Sequence, residues 1–238
     1  MSMTRKRRPG SRGFGKLLHG LRQATLLFLA VTVLITLLLR FIPPPATPLM
    51  GWRAVEAAWQ KKPVKWKKTW RPLEQMSPSL ARAVVASEDQ RFFSHHGFDL
   101  EAIQNAFRAN QAGRRKLGAS TISQQTAKNL FLWPDRTWLR KGLEVYFTLL
   151  LELLWSKKRI LEVYLNVVEM GDGVYGMPAA AEKYFGKPAK RLQAEEAALL
   201  AACLPAPRRW KPTHLTPYLA GRQRWILRQM QQIGPLPL

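Results

Sequence analysis

The apolar positions form one long unbroken run near the start of the chain, followed by shorter stretches at helical spacing. From Gln23 to Leu39 no charged residue occurs, and Phe41 and Ile42 carry the run past Arg40. About 20 apolar residues at 1.5 Å rise cross a hydrocarbon core of roughly 30 Å, so residues 23–42 are expected to form a transmembrane helix. Pro43 to Pro48 then reads as a short extended linker, because each proline fixes φ and lacks an amide proton. Beyond it the pattern is helix after helix. Ser77-Pro78 supplies an N-cap and a first-turn proline for a helix from Ser79 to about Asp89, and Asp99 caps a segment with Leu100, Ile103 and Phe107 at helical spacing. Further helices are expected at Ser120 to Leu130, Thr137 to Trp155, Lys158 to Met170, Pro178 to Phe185, Gln193 to Leu204 and Thr216 to Ile233. The stretch Val145 to Trp155 is nearly all apolar, which marks its helix as the buried central one. No alternation of period two and no internal repeat stand out, so the domain is expected to be mainly α.

Composition and charge add a partner and an orientation. The chain has 238 residues, 47% of them apolar, which suffices for one sizeable core after the terminal appendage is set aside. Its formal charge of +23 implies an anionic partner: nucleic acid, membrane headgroups or a phosphorylated substrate. Seven Lys and Arg residues, and no acidic one, precede the apolar run, so the positive-inside rule leaves the N-terminus in the cytoplasm and exports everything after Pro43. A cleaved signal peptide is the alternative; the length of the run and Pro43-Pro44-Pro45 at its end favour an uncleaved anchor. The organisation expected is thus a basic tail (1–22), a transmembrane helix (23–42), a Pro linker with a Trp/Lys-rich membrane-proximal segment (43–72) and a catalytic domain (73–238). In that third segment Trp52, Trp59, Trp66 and Trp70 alternate with lysines and arginines, which suits either a surface lying on headgroups or a solvated basic loop. The lone Cys203 sits in an apolar run and reads as a small buried hydrophobe.

Three clusters carry candidate chemistry. Glu88-Asp89 stands where an apolar helix enters a turn, and partial desolvation there suits general acid or base work, although a solvated helix end looks the same. Gly118 to Asn129 opens with glycine and the hydroxyl pair Ser120-Thr121, either offering backbone amides to an anion or simply capping the next helix. Arg140 and Glu144 are four apart on one helix face, and a carboxylate on so apolar a helix calls for a partner or a task. His95 lacks a second ligand at zinc spacing, so no structural metal is expected.

Taken together, these clusters resemble the peptidoglycan glycosyltransferases, both the monofunctional enzymes and the N-terminal domains of bifunctional penicillin-binding proteins. The likeness covers roughly Trp52 to Trp210: Glu-Asp-x-x-Phe-x-x-His-x-Gly at Glu88 to Gly97, Gly-x-Ser-Thr-Ile-x-Gln-Gln with Lys-Asn at Gly118 to Asn129, and Arg-Lys-x-x-Glu at Arg140 to Glu144. Arg159 to Asn166 and Ala179 to Lys187 follow in the family's order. Ala119 and Ser123 depart from the usual glycine and threonine.

The resemblance implies a lysozyme-like helical domain with a membrane-facing hydrophobic lip, for which Leu130 to Pro134 and Trp138 are candidates, although these residues also suit an ordinary buried loop. It implies an inverting transfer that polymerises lipid II into β-1,4-linked glycan with release of undecaprenyl pyrophosphate, on the periplasmic side of the bacterial cytoplasmic (inner) membrane. Glu88 would be the base; Lys128, Arg136 and Arg140, with Ser120, would hold the pyrophosphate; Glu144 would be the second carboxylate. Asp89, Phe92, His95, Thr121, Gln125 and Asn129 would shape the donor and acceptor pockets. No cofactor is required, though Mg²⁺ or Mn²⁺ could accompany the pyrophosphate. Implied partners are lipid II, the growing lipid-linked glycan, the membrane, and cell-wall synthesis or division proteins; nucleic acid is not among them. No Ser-x-x-Lys, Ser-x-Asn and Lys-Thr-Gly set occurs, so a polymerase without peptide cross-linking activity is expected. The rivals are a lysozyme-like muramidase or lytic transglycosylase, and a polybasic membrane scaffold.

Overall fold

The computed structural model describes residues 11–111, 119–135 and 137–238, with side chains from residue 15 onward. Gly118 and Arg136 of the motifs therefore lie outside the described residues. The chain divides into two compact units, Met1–Ile42 and Pro43–Leu238.

The described part of the first unit forms the helix α1 (Ser11–Phe41), starting well before the apolar run. Its portion Gly15–Phe41 is long and apolar enough to cross a membrane. Leu21, Leu27, Leu34 and Leu38 are exposed along it, a surface that hydrocarbon accepts and water does not. Its threonines fit an apolar setting because their hydroxyls are satisfied within the helix: Thr25, Thr32 and Thr36 donate to the carbonyls of Leu21, Phe28 and Thr32.

The second unit is mainly helical. Pro48 does not continue an extended linker. It opens α2 (Pro48–Trp59), where a first-turn proline loses no hydrogen bond and Thr47 caps the helix by accepting from the amide of Met50. The helices that follow are α3 (Pro78–Glu88), α4 (Leu100–Gln111), α5 (Ile122–Phe131), α6 (Trp138–Leu154), α7 (Lys157–Val167), α8 (Met177–Phe185), α9 (Ala194–Cys203) and α10 (Pro217–Ile233). α9 packs against α3 and α10; its alanines allow close approach, and everything from Ala197 to Cys203 is buried. α5 packs against α6 and α7.

The most buried helices are α5, α7 and α9, and here the expectation for the Val145–Trp155 stretch is corrected. Within α6 only Glu144, Phe147, Thr148 and Leu151 are buried, while Leu149 and Leu153 are exposed at 46% and 79%. An apolar run shows that a helix avoids water on paper, not that a second layer covers its outer face. The candidate lip divides in the same way. Leu130 and Leu132 are core residues and Phe131 stacks on Phe147, whereas Trp138 and Leu139 stand out into the surroundings.

A small sheet was not foreseen. β1 (Lys67–Lys68) pairs in parallel with β3 (Val174–Tyr175), which pairs antiparallel with β2 (Glu169–Gly171). Strands of two or three residues are too short to show alternation. The turn needs its glycines: Gly173 has φ +67°, and a Cβ there would lie 2.5 Å from the carbonyl oxygen of Lys65.

α7 ties the chain to this framework. Asn166 accepts from the amide of Arg71 at 2.9 Å and donates to its carbonyl at 2.8 Å, and Glu162 accepts from the amide of Leu73 at 2.9 Å. The Arg159 to Asn166 motif therefore acts as a clamp on the segment leading into α3.

Candidate active site

Leu80, Ala83, Val84 and Val85 bury α3, and its last residue, Glu88, emerges half-buried into a cavity of about 300 Å³. Asn105, Ser120 and Thr121 line the same cavity. Glu88 Oε1 accepts from Ser87 Oγ at 3.2 Å, and Oε2 accepts from Gln125 Nε2 at 2.8 Å. Gln125 Oε1 accepts from the Tyr164 hydroxyl at 3.0 Å. Tyr164 is fully buried, and burial, reinforced by the negative charges of Glu88 and Asp89, pushes its phenol well above the usual range.

Asp89 also borders this cavity, but its carboxylate is bonded within the protein. It is 7% exposed; its Oδ2 accepts from the amide of Ile122 at 3.0 Å, and its Oδ1 lies 2.9 Å from His95 Nε2. His95 Nδ1 accepts from the amide of Gly97, so the proton on Nε2 is the one given to Asp89. Gly97 has φ +87°, its carbonyl accepts from Thr121 Oγ1 at 2.6 Å, and a Cβ there would lie 2.8 Å from Thr148. Thr121 and Gln124 form a capping box at the start of α5. Two of the first amides of α5 are thus taken, that of Ile122 by Asp89 and that of Gln124 by Thr121. Phe92 is fully buried under the Lys157 ammonium, 4.6 Å above its ring. Asp89, Phe92, His95 and Thr121 together make the scaffold that joins α3 to α5. Ser120 alone of that stretch is exposed into the cavity.

A second cavity, of about 460 Å³, is lined by Gln125, Lys128, Asn129, Trp133 and Arg140. Gln125 faces this space and bonds Glu88 in the first, so the two cavities meet at its side chain. Glu144 is 4% exposed and held on both oxygens, by Arg140 Nη1 at 2.8 Å and by Lys141 Nζ. Arg140 is thereby locked in place, with its Nε buried and without a partner among the described residues. Lys128 is open to water along the cleft but walled by protein. Partial desolvation holds its ammonium below the usual lysine range; Arg140 and Lys141 push the same way, while Glu144 and Glu88 oppose.

Both Glu144 oxygens carry a cation's hydrogen bond, and among the described residues no three His, Cys, Asp or Glu side chains come together as ligands. Sequence reasoning passed over Ser87, Lys141 and Tyr164 as site residues. Tyr164 lay within a quoted motif, but only the fold reveals that its hydroxyl reaches Gln125.

A helical domain that sets a held carboxylate in one cavity and a lysine–arginine wall in the next defines a class, an enzyme equipped to deprotonate one substrate group while stabilising negative charge on another. The comparisons narrow it. The family model described as Transglycosylase matches residues 56–231. A protein of Bdellovibrio bacteriovorus named biosynthetic peptidoglycan transglycosylase is 52% identical over 213 residues, covering 90% of this chain and 85% of its own. Namesakes from Aeromonas hydrophila and Pseudomonas entomophila are 53% and 51% identical, covering 94% and 92% of both chains. The chain belongs to the transglycosylase family.

Proposed function

We propose that this transglycosylase, a peptidoglycan glycosyltransferase by family, polymerises lipid II into β-1,4-linked glycan strands and releases undecaprenyl pyrophosphate. It is a polymerase without cross-linking activity, held by α1 in the cytoplasmic membrane with residues 43–238 outside. The observation that carries the reading is the division of labour in the cleft: a carboxylate used purely as a hydrogen-bond acceptor in one cavity, and the cations Lys128 and Arg140 in the cavity beside it.

The acceptor disaccharide sits with its 4-hydroxyl against Glu88. Glu88 takes the hydroxyl proton as the oxygen attacks C1 of the growing chain's reducing sugar from the face opposite the pyrophosphate. The C1–O bond to phosphorus breaks, its electron pair leaves with the pyrophosphate, and the α linkage becomes β. A positioned base of this kind is worth roughly 10²- to 10⁴-fold in rate. Lys128 and Arg140 receive the leaving pyrophosphate, with Arg136 joining them by the family resemblance. Glu144 serves by holding Arg140 in place. Any Mg²⁺ or Mn²⁺ enters with the pyrophosphate as part of the substrate.

The test is a paired assay of wild type and Glu88→Gln in detergent or vesicles, with lipid-linked disaccharide-pentapeptide and with finished glycan. Polymer from wild type, and a loss of at least about 10²-fold in Glu88→Gln, is the expected result. Cutting of finished glycan without polymer formation would replace this reading with the hydrolase.

A further inference from the structure

Tyr164 is fully buried and reaches Glu88 through a single intermediary, Gln125. Gln125 can present either its NH₂ or its oxygen to Glu88, and an ionised carboxylate accepts hydrogen bonds only. The NH₂ must face Glu88, which leaves the amide oxygen toward Tyr164, whose buried hydroxyl needs an acceptor and finds it at 3.0 Å. One orientation satisfies all three groups. With phenylalanine in place of Tyr164, nothing would distinguish the two amide orientations from that side.

We propose that Tyr164 is a positioning residue for the transfer: through Gln125 it holds the Glu88 carboxylate in the arrangement that takes the acceptor's proton. The inference rests on Glu88 being the base. Because Gln125 occupies Oε2, the arriving proton goes to Oε1 as the acceptor's O–H bond breaks. Ser87 makes room for it. Its hydroxyl lies 3.2 Å from Oε1 and 3.5 Å from the carbonyl of Ala201, so it can turn its single proton from the first to the second. Retention of the Tyr164 proton follows from its burial beside two carboxylates.

The experiment measures kcat and KM of the full chain on lipid-linked disaccharide for Tyr164→Phe, Gln125→Met, the double variant, Gln125→Glu and Glu88→Gln. Tyr164→Phe is expected to lower kcat about tenfold with KM within about twofold, the size of one lost orienting hydrogen bond. The double variant should be no slower than Gln125→Met, since Tyr164 acts only through that side chain. A glutamate at position 125 donates to Glu88 only when protonated, so Gln125→Glu should gain on wild type as pH falls, a response that mere packing would not produce. Wild-type kcat in Tyr164→Phe, or losses that multiply in the double variant, overturn the proposal. Should Tyr164→Phe fail to fold, Gln125→Met and the Gln125→Glu pH profile decide alone. Full activity in Glu88→Gln sinks the base itself, whereas a dead Glu88→Gln beside an unimpaired Tyr164→Phe sinks only the relay.

Discussion

Lys128 and Glu144 show how burial assigns different tasks to neighbouring charges. Glu144 is neutralised by two cations, which offsets its burial; removing both partners would strand it, and removing one would leave one oxygen unpaired. Lys128 has no such close pair and carries a lowered ammonium pKa, chiefly from desolvation. Its folded-state pKa lies below its unfolded value, so between the two the unfolded chain binds more protons and stability rises with pH. In the proposed mechanism activity runs the opposite way, because there the proton is what meets the pyrophosphate. The alkaline limb of kcat/KM should therefore fall at a pH below that of an ordinary lysine, and Lys128→Arg should push the limb upward, since guanidinium keeps its proton. A pH–rate profile unchanged by Lys128→Arg would remove Lys128 from the transfer step.

At the scale of elements, the joint between α3 and α5 separates a structural role from a binding one. Asp89 satisfies the first amide of α5 and the His95 ring at once, both buried. Asp89→Ala strands both donors and should cost about 2–4 kcal/mol of stability, read by denaturant unfolding. A variant with unchanged stability but weakened substrate binding would instead return Asp89 to the pocket that the family resemblance implies. This joint also shows what was legible beforehand. The helices of the second unit announced themselves through caps such as Thr121, Ser156 and Thr216, which act locally and so stand in the sequence. α2 was hidden by prolines that suit a linker and a first turn equally. The exposed face of α6 and the three short strands depend on which layer covers which, and no local pattern records that. The same holds within the site: Glu88 and Lys128 were visible by residue type and motif, but the inward bonds of Asp89 and His95 and the bond from Tyr164 to Gln125 join residues far apart in the chain.

For the whole molecule the question is where the charge lies. Eight of the 38 cationic residues and none of the 15 acidic ones fall within residues 1–42, so residues 43–238 still carry +15. That excess exceeds what one pyrophosphate site needs. It accompanies the exposed indoles of Trp52, Trp59 and Trp66, at 51%, 89% and 47%, among lysines of the membrane-proximal segment. Cations with amphipathic rings suit an anionic headgroup layer, and the attraction is screened over about 10 Å at 0.1 M salt. Residues 43–238 have their own core, so the unit produced without α1 should sediment with anionic vesicles at low salt and leave them at about 0.5 M, where the Debye length has shrunk by more than half. The full chain, held by the apolar surface of α1, should stay bound at both salt concentrations. Equal binding of the shortened chain to neutral vesicles would assign its attachment to the tryptophans instead. Absence of binding even at low salt would mean that α1 alone brings the cleft to the membrane.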